Sequence, residues 1–309
     1  MTSIIIEGES GATEAGWSRI QDYLRCPKAY QFKEVRKLHR PVSMQLDHFS
    51  VGTLVHAGVA KWFVAGMPDP ERQPKRYAKV LAAMEKEAMA SKDAMTPKAM
   101  QDACRYVLEY AQHWKMRPKP TVVATEYKLG PAPLWPGEPE HSWRTARLDD
   151  VSKYAEAGGQ LCIGERKTTS ASVADTIKQY QLHGQIIMQT LLWDSSKQGA
   201  AMHGPIAGVV LDVIQKGYNT ASKFGRVFLP VSAHQKKWFA ESMKEPLLKA
   251  AMMQPDSFNI ERRVTGCTFM AGRGRVDCDF KELCATGKSA LGLFVKGPKN
   301  EKPGPKDWE

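Results

Sequence analysis

RTARLDDVSKYAEAGGQLCIGERKTTS, from Arg144 to Ser170, is the stretch around which the rest of the predicted fold is organised. It predicts two short strands joined by a connection that turns at Gly158-Gly159. Because side chains alternate between the two faces of a strand, Glu165 and Lys167 lie on one face of the second strand. We expect the neighbouring strand to bring Asp149 to the same end of the sheet.

An aspartate, a glutamate and a lysine in this arrangement suit metal-assisted cleavage of a phosphodiester. Two carboxylates can hold a hard divalent cation, which polarises the phosphate and lowers the pKa of a bound water. The lysine can orient that water or stabilise charge that develops on the phosphate. A Glu-x-Lys pair is also common on solvent-exposed strands, so the interpretation depends on the rest of the chain.

Composition narrows the class of protein. The chain has 309 residues, a formal charge of +11 and 42% hydrophobic residues, which favours a folded protein with a polyanionic partner. No apolar run approaches the ~18 residues of a membrane span, and the N-terminus does not resemble a secretory signal. We therefore expect a cytoplasmic protein without membrane contact, whose six cysteines are reduced.

A chain of 309 residues can form one large domain or two small ones, and its hydrophobic periodicity predicts a mixture of helices and strands. We expect helices near 17–30, 53–63, 75–91, 97–115, 174–194 and 232–253, and strands at 121–129, 209–214 and 225–229 besides the central pair. The predicted organisation is a flexible arm at 1–16, one domain at 17–295 and a disordered tail at 296–309. Within the domain we expect a helical insert at about 67–117 and a cysteine-rich part at about 255–290.

Cysteine spacing indicates a second metal site. Three cysteines lie within eighteen positions of each other: Cys267, Cys278 and Cys284. A tetrahedral zinc or a [4Fe–4S] cluster needs a fourth thiolate. Cys26, which precedes a proline, is the natural candidate, because Cys104 and Cys162 fall inside regular elements where they read as core residues.

Other polar residues allow two interpretations each. Arg36, Lys37 and Arg40 can contact a DNA backbone or form a solvated basic face. Glu126 can join the acidic site or form a cross-strand ion pair. An amide of the glutamine ladder, whose members stand one turn apart on a predicted helix, can bind a phosphate or a metal-bound water, or the ladder can simply face solvent. Its members are Gln181, Gln185 and Gln189.

Taken in order, these motifs resemble the RecB/AddB-type branch of the PD-(D/E)XK nuclease superfamily, including its small phage-encoded members. SRIQDYLRCPKAY (18–30) resembles the opening helix of that family. Gly52-Thr53-Leu54-Val55-His56 is similar to its Gly-Thr-x-x-His motif, and Arg147-Leu148-Asp149 and Glu165-Arg166-Lys167-Thr168 resemble its two acidic motifs. The resemblance implies a restriction-endonuclease-like mixed sheet flanked by helices.

The resemblance also implies roles for these residues. His56, Asp149 and Glu165 would bind Mg²⁺ or Mn²⁺, and Lys167 would be the catalytic lysine. Asp150 would replace Asp149 if the strand register shifted by one residue. Gln185 matches the start of a Gln-x-x-x-Tyr motif, in which the tyrosine position is occupied here by Gln189.

Part of the family holds a [4Fe–4S] cluster with one cysteine before the nuclease core and three after it, as with Cys26 and the three later cysteines here. A structural Zn²⁺ is the alternative. The spacing between Cys267 and Cys278 is longer than the Cys-x-x-Cys of the best-known members.

The resulting hypothesis is a metal-dependent exonuclease that acts on single-stranded DNA or DNA ends in recombination, repair or processing. No helicase P-loop occurs in the sequence, so we expect either a stand-alone nuclease or a subunit without its own ATP motor, which would work with a recombination or helicase partner. Two alternatives remain, a catalytically silent DNA-binding subunit and an RNA-processing enzyme.

Overall fold

A computed structural model describes residues 6–7, 16–39, 48–90, 96–217, 221–254, 260, 268–271, 274–286, 290–291 and 293–296. The chain divides into two compact units. The sheet unit comprises Met1–Gly16 and Asp47–Glu241, and the cysteine unit comprises Trp17–Leu46 and Ser242–Glu309. Arg40, Cys267, most of the predicted arm and nearly all of the predicted tail lie outside the described residues.

Short runs of helices and of strands follow one another along the described part of the chain. Its helices are α1 (Trp17–Arg25), α2 (Pro27–Tyr30), α3 (His48–Val64), α4 (Pro74–Ala90), α5 (Pro97–Trp114), α6 (Val173–Tyr180), α7 (Gly184–Ser195), α8 (Ala200–His203), α9 (Ala233–Ala251) and α10 (Lys281–Thr286). Its strands are β1 (Ile6–Glu7), β2 (Leu38–His39), β3 (Thr121–Ala132), β4 (Arg144–Lys153), β5 (Leu161–Thr169), β6 (Gly208–Gln215), β7 (Lys223–Pro230), β8 (Thr268–Ala271), β9 (Gly274–Asp277) and β10 (Val295–Lys296).

The sheet unit is built on a six-stranded mixed sheet with the order β1-β3-β4-β5-β6-β7. β1 runs parallel to β3 and β5 runs parallel to β6, whereas the other neighbours are antiparallel. The connection from β5 to the parallel strand β6 contains α6, α7 and α8, as a parallel pair requires a long crossover. The mixed sheet with flanking helices confirms the predicted α/β class.

Helices α3, α4 and α5 pack together against one side of the sheet. Their cluster buries Trp62, Phe63 and Tyr110, and it includes Ile214 of β6. Gly58 permits the close approach of α3, because a Cβ at this position would overlap side chains of α4 and α5. The two helices predicted between 67 and 117 are therefore present as α4 and α5.

Helix α6 packs on the opposite face of β6 from helices α3–α5. Leu211 and Val213 contact Val173 and Ile177, whereas Ile214 belongs to the α3–α5 cluster, as the alternation of a strand requires. The single helix predicted over 174–194 is wrong, because the chain leaves the helix at residues 181–183 and restarts as α7. Gly184, a poor helix former, stands at the restart.

The cysteine unit contains α1, α2, a π-helix at Gln31–Val35, α10 and two small antiparallel pairs, β2 with β10 and β8 with β9. Its core cluster includes Cys26, Phe32, Cys278 and Phe280. In the part of the chain that is described, no helix has the length and apolar character needed to cross a bilayer.

Candidate active site

The central hairpin positions two of the predicted acids. Strands β4 and β5 are antiparallel, and the last residue pair in their register is Asp150 with Gly164. Asp149 and Glu165 are the next residues on the two strands. Alternation gives these two residues the same face of the hairpin. The main-chain N–H of Arg166 donates to Asp149 Oδ2 over 2.5 Å, which fixes this carboxylate beside β5.

Asp150 belongs to a buried network. Its carboxylate pairs with the Arg166 guanidinium and accepts hydrogen bonds from Ser152 Oγ at 2.6 Å and Tyr154 OH at 2.8 Å. Gly164 leaves room for it, since a Cβ there would overlap the Asp150 carboxylate. Asp150 has no solvent exposure, and its contacts are those of a structural residue.

Helix α3 brings His56 to Asp149. Gly52 allows the helix to approach β5, because a Cβ at Gly52 would lie only 3.0 Å from Thr168 Oγ1. His56 Nδ1 is 3.1 Å from Asp149 Oδ1. Burial would raise the pKa of Asp149, but His56 and Arg166 outweigh it and hold that pKa well below its usual range. Asp149 is therefore an ionised carboxylate at neutral pH.

Glu165 is held on both oxygens. Gln185 Nε2 donates to Glu165 Oε1 over 2.8 Å, and Gln189 Nε2 donates to Oε2 over 2.6 Å. Lys167 Nζ forms an ion pair with Oε1. The sequence predicts Gln185 and Gln189 one turn apart on one face of a helix, with a phosphate or a metal-bound water as a possible ligand. The contact of both amides with Glu165 was not predicted.

Lys167 is a cation in this arrangement. Burial alone would lower its pKa, but the ion pair with Glu165 raises the pKa above its usual range. The ammonium also lies 5.4 Å from the centroid of the Tyr180 ring. A protonated lysine can bind a water or a phosphate oxygen and stabilise negative charge there.

Glu126 lies beside the acidic pair. β3 and β4 pair through Thr125 with Asp150 and Tyr127 with Leu148, so Glu126 occupies the position opposite Asp149. Its backbone has φ +50°, which is uncommon for a non-glycine residue. Arg147 Nε is 2.9 Å from Glu126 Oε2, so the predicted cross-strand ion pair forms next to the site.

Replacing Glu126 with glutamine should stabilise the metal-free protein at neutral and alkaline pH. Burial and the Asp149 carboxylate raise the pKa of Glu126, so its ionised form costs stability once the pH rises above its unfolded pKa. The gain in melting temperature should appear near pH 8 and fade as the solution is acidified, measured in a chelator. Glu140→Gln at an exposed position is the control, and a gain independent of pH would contradict the interpretation.

Replacing Gln189 with leucine should lower the free energy of unfolding by about 1–3 kcal/mol, because a buried Glu165 oxygen loses its donor. Urea denaturation measures the effect. Gln179→Leu, on the exposed part of α6, is the matched control and should change stability by less than about 0.5 kcal/mol. Equal stability of the two variants would show that the Gln189 amide does not hold Glu165.

The carboxylate oxygens and the imidazole nitrogen of the site are suitable ligands for a divalent ion, although in the structure these side chains pair with one another. Within the described ranges, no group of three His, Cys, Asp or Glu side chains is arranged to hold a metal. The Asp149 carboxylate contacts His56. The Glu165 carboxylate pairs with Lys167 and accepts hydrogen bonds from two glutamine amides. Adjacent carboxylates on neighbouring strands are nevertheless the ligands that Mg²⁺ and Mn²⁺ prefer.

The remaining predicted residues belong to the cysteine unit. Cys26, Cys278 and Cys284 join one apolar cluster there, but the described cysteines do not form a metal-binding group. Lys37 is exposed, and the Arg36 guanidinium lies 5.7 Å from the centroid of the Phe32 ring.

Comparison with known protein families agrees with the architecture. A model of the PD-(D/E)XK nuclease superfamily matches residues 16–285, which is most of the chain. No curated protein gives a significant match over any part of the sequence. The chain, with its mixed sheet and its acidic hairpin, belongs to the PD-(D/E)XK nuclease superfamily.

Proposed function

We propose that the protein is a metal-dependent exonuclease that hydrolyses single-stranded DNA or DNA ends. The observation that carries the proposal is the convergence of Asp149, Glu165 and Lys167 on one face of a hairpin, with His56 in contact with Asp149. The formal charge of +11 supports a polyanionic substrate.

The proposed ligands of Mg²⁺ or Mn²⁺ are His56, Asp149 and Glu165. A divalent ion in such a site polarises the phosphate and lowers the pKa of a bound water. An imidazole ligand favours binding of Mn²⁺ somewhat over Mg²⁺.

The side chains around the ligands have separate tasks. Arg166 keeps Asp149 in place through its main-chain N–H, and the Gln185 and Gln189 amides keep Glu165 in place. In the proposed reaction the Lys167 ammonium orients the attacking water and stabilises charge on the phosphate. We also assign Gln185 a catalytic role through its contact with Glu165.

We further propose that the protein falls in the RecB/AddB-like branch, among its phage-type members, and works in the cytoplasm with a recombination or helicase partner. Arg36, Lys37 and Arg40 are the proposed contacts to the DNA backbone. One nuclease domain over 17–295, with the insert and cysteine-rich part predicted from the sequence, remains our domain proposal.

The test is digestion of end-labelled single- and double-stranded DNA by the purified protein in Mg²⁺, Mn²⁺ or chelator. We expect metal-dependent release of short products that starts at DNA ends. Tight DNA binding without turnover in any metal would instead identify the catalytically silent subunit. Faster digestion of a matched RNA would identify the RNA-processing enzyme.

A second proposal concerns Cys26, Cys267, Cys278 and Cys284, to which we assign a [4Fe–4S] cluster. Its support is that Cys26, Cys278 and Cys284 enter the same apolar cluster, although Cys26 is more than 250 positions away from the other two. A cluster held by these residues would crosslink both ends of the matched region.

Anaerobically purified protein should then be brown, absorb near roughly 400 nm and contain iron. Cys26→Ala should remove the iron and destabilise the fold, because the crosslink between distant segments is lost. Cys162→Ala, a buried cysteine of the sheet unit, is the control for metal content. A colourless protein with about one zinc per chain would favour the structural zinc site.

A further inference from the structure

The turn between α6 and α7 has an aromatic surface beside the active site. The Tyr180 and His183 rings pack with their centroids 4.4 Å apart and their planes 32° apart. Lys167 Nζ lies 5.4 Å from the centroid of the Tyr180 ring. Tyr180 therefore contacts both the catalytic lysine and the His183 ring.

The same turn exposes a large apolar side chain. Leu182, between the two aromatic residues, is 70% exposed, whereas Tyr180 and His183 are partly exposed. An exposed leucine contributes nothing to the core of the sheet unit. It therefore adds exposed apolar surface to the turn that carries the two rings.

The turn is connected directly to the catalytic side chains. Gln185, two residues after His183, donates to Glu165, and Tyr180 contacts Lys167. The turn therefore adjoins both Lys167 and the amide that holds Glu165. Burial, and then Lys167, lower the pKa of His183 to about 4, so the ring is uncharged at neutral pH.

We propose that Tyr180, Leu182 and His183 form a base-stacking platform for the nucleotide next to the scissile phosphate. The ligand is an unpaired nucleobase of single-stranded DNA, because a base must be unstacked and unpaired for its face to reach aromatic side chains. This inference rests on the proposed nuclease function and extends it, since it assigns the preference for single strands to three residues.

The test is the affinity of the full-length protein for a fluorescent single-stranded oligonucleotide, measured by anisotropy in chelator so that no cleavage occurs. Tyr180→Ala should weaken binding about tenfold, as expected for the loss of one stacked base. Tyr180→Phe, which keeps the ring, should restore most of this affinity. Met89→Ala, which removes an 84% exposed side chain from α4, is the matched control and should leave affinity unchanged.

Abasic substitutions identify the contact itself. An abasic nucleotide is placed at each position of the oligonucleotide in turn. At one position it should weaken binding by the native protein about tenfold. The same oligonucleotide should bind Tyr180→Ala no more weakly than the intact oligonucleotide does. If the abasic nucleotide and Tyr180→Ala each weaken binding independently, so that their effects multiply, the platform is overturned. Leu182→Ala that abolishes self-association in sedimentation but leaves DNA affinity intact would overturn it too, because the turn would then contact protein.

The two proposals can fail separately. Metal-dependent cleavage with an unchanged KM for single-stranded DNA in Tyr180→Ala would reject the platform and retain the nuclease. Loss of single-strand affinity in Tyr180→Ala, in a protein that cleaves nothing in any metal, would reject the nuclease and retain a base-binding turn.

Discussion

Lys167→Met should lower the rate of DNA cleavage by about 10²- to 10³-fold while the protein stays folded. Methionine keeps much of the length of the side chain but removes the ammonium, which the Glu165 ion pair keeps protonated. The loss should appear in kcat, because the charge that Lys167 stabilises develops mainly in the transition state. Single-turnover cleavage of labelled DNA in saturating Mn²⁺ measures it.

Lys153→Met is the matched control. Lys153 is an exposed lysine at the other end of the same hairpin, paired in register with Leu161. Its removal should leave the cleavage rate within about twofold of the native rate, since surface substitutions away from a site have small effects. Similar rates for the native protein and Lys167→Met would remove Lys167 from the mechanism.

Asp150→Ala should lower the free energy of unfolding by about 3–5 kcal/mol. The Asp150 carboxylate pairs with the Arg166 guanidinium, and the exposed fraction of each side chain is at most 1%. Truncating the acid leaves a buried positive charge without its partner. The Arg166 guanidinium lies 4.5 Å from the centroid of the Phe63 ring, so it would stay in an apolar environment. Urea denaturation, followed by circular dichroism, measures the change.

Asp149→Asn separates the roles of the adjacent acids. The amide keeps the size of the side chain and can still accept the Arg166 N–H, so most of the stability should remain while cleavage is lost. If Asp150→Ala is stable but inactive and Asp149→Asn is active, the strand register that we assign to the catalytic acid is wrong.

Much of the fold follows from local patterns. Thr96 and Pro97 predict the start of α5, and the structure has Thr96 Oγ1 accepting from the Ala99 N–H at 3.2 Å. Short apolar stretches rich in β-branched and aromatic residues predict β3, β6 and β7 within a few residues of their observed ends. These signals are local because they depend on hydrogen bonds and side-chain periodicity within one element.

Long-range contacts in the candidate site could not be predicted in this way. Gln189 meets Glu165 because the chain breaks at residues 181–183 and α7 turns toward β5. The periodicity of the segment predicted one uninterrupted helix. The unusual backbone of Glu126 and the burial of Arg166 likewise depend on neighbouring strands and helices, which a single-sequence pattern does not specify.

The most direct measurement of the central claim is anomalous X-ray diffraction from crystals of the protein soaked in Mn²⁺. We expect a manganese peak about 2 Å from carboxylate oxygens of both Asp149 and Glu165, with the His56 imidazole turned toward it. Lys167 should have left its ion pair with Glu165. A protein that cleaves DNA in Mn²⁺ but binds manganese elsewhere in the crystal, with Asp149 and Glu165 still in their present pairs, would contradict the account.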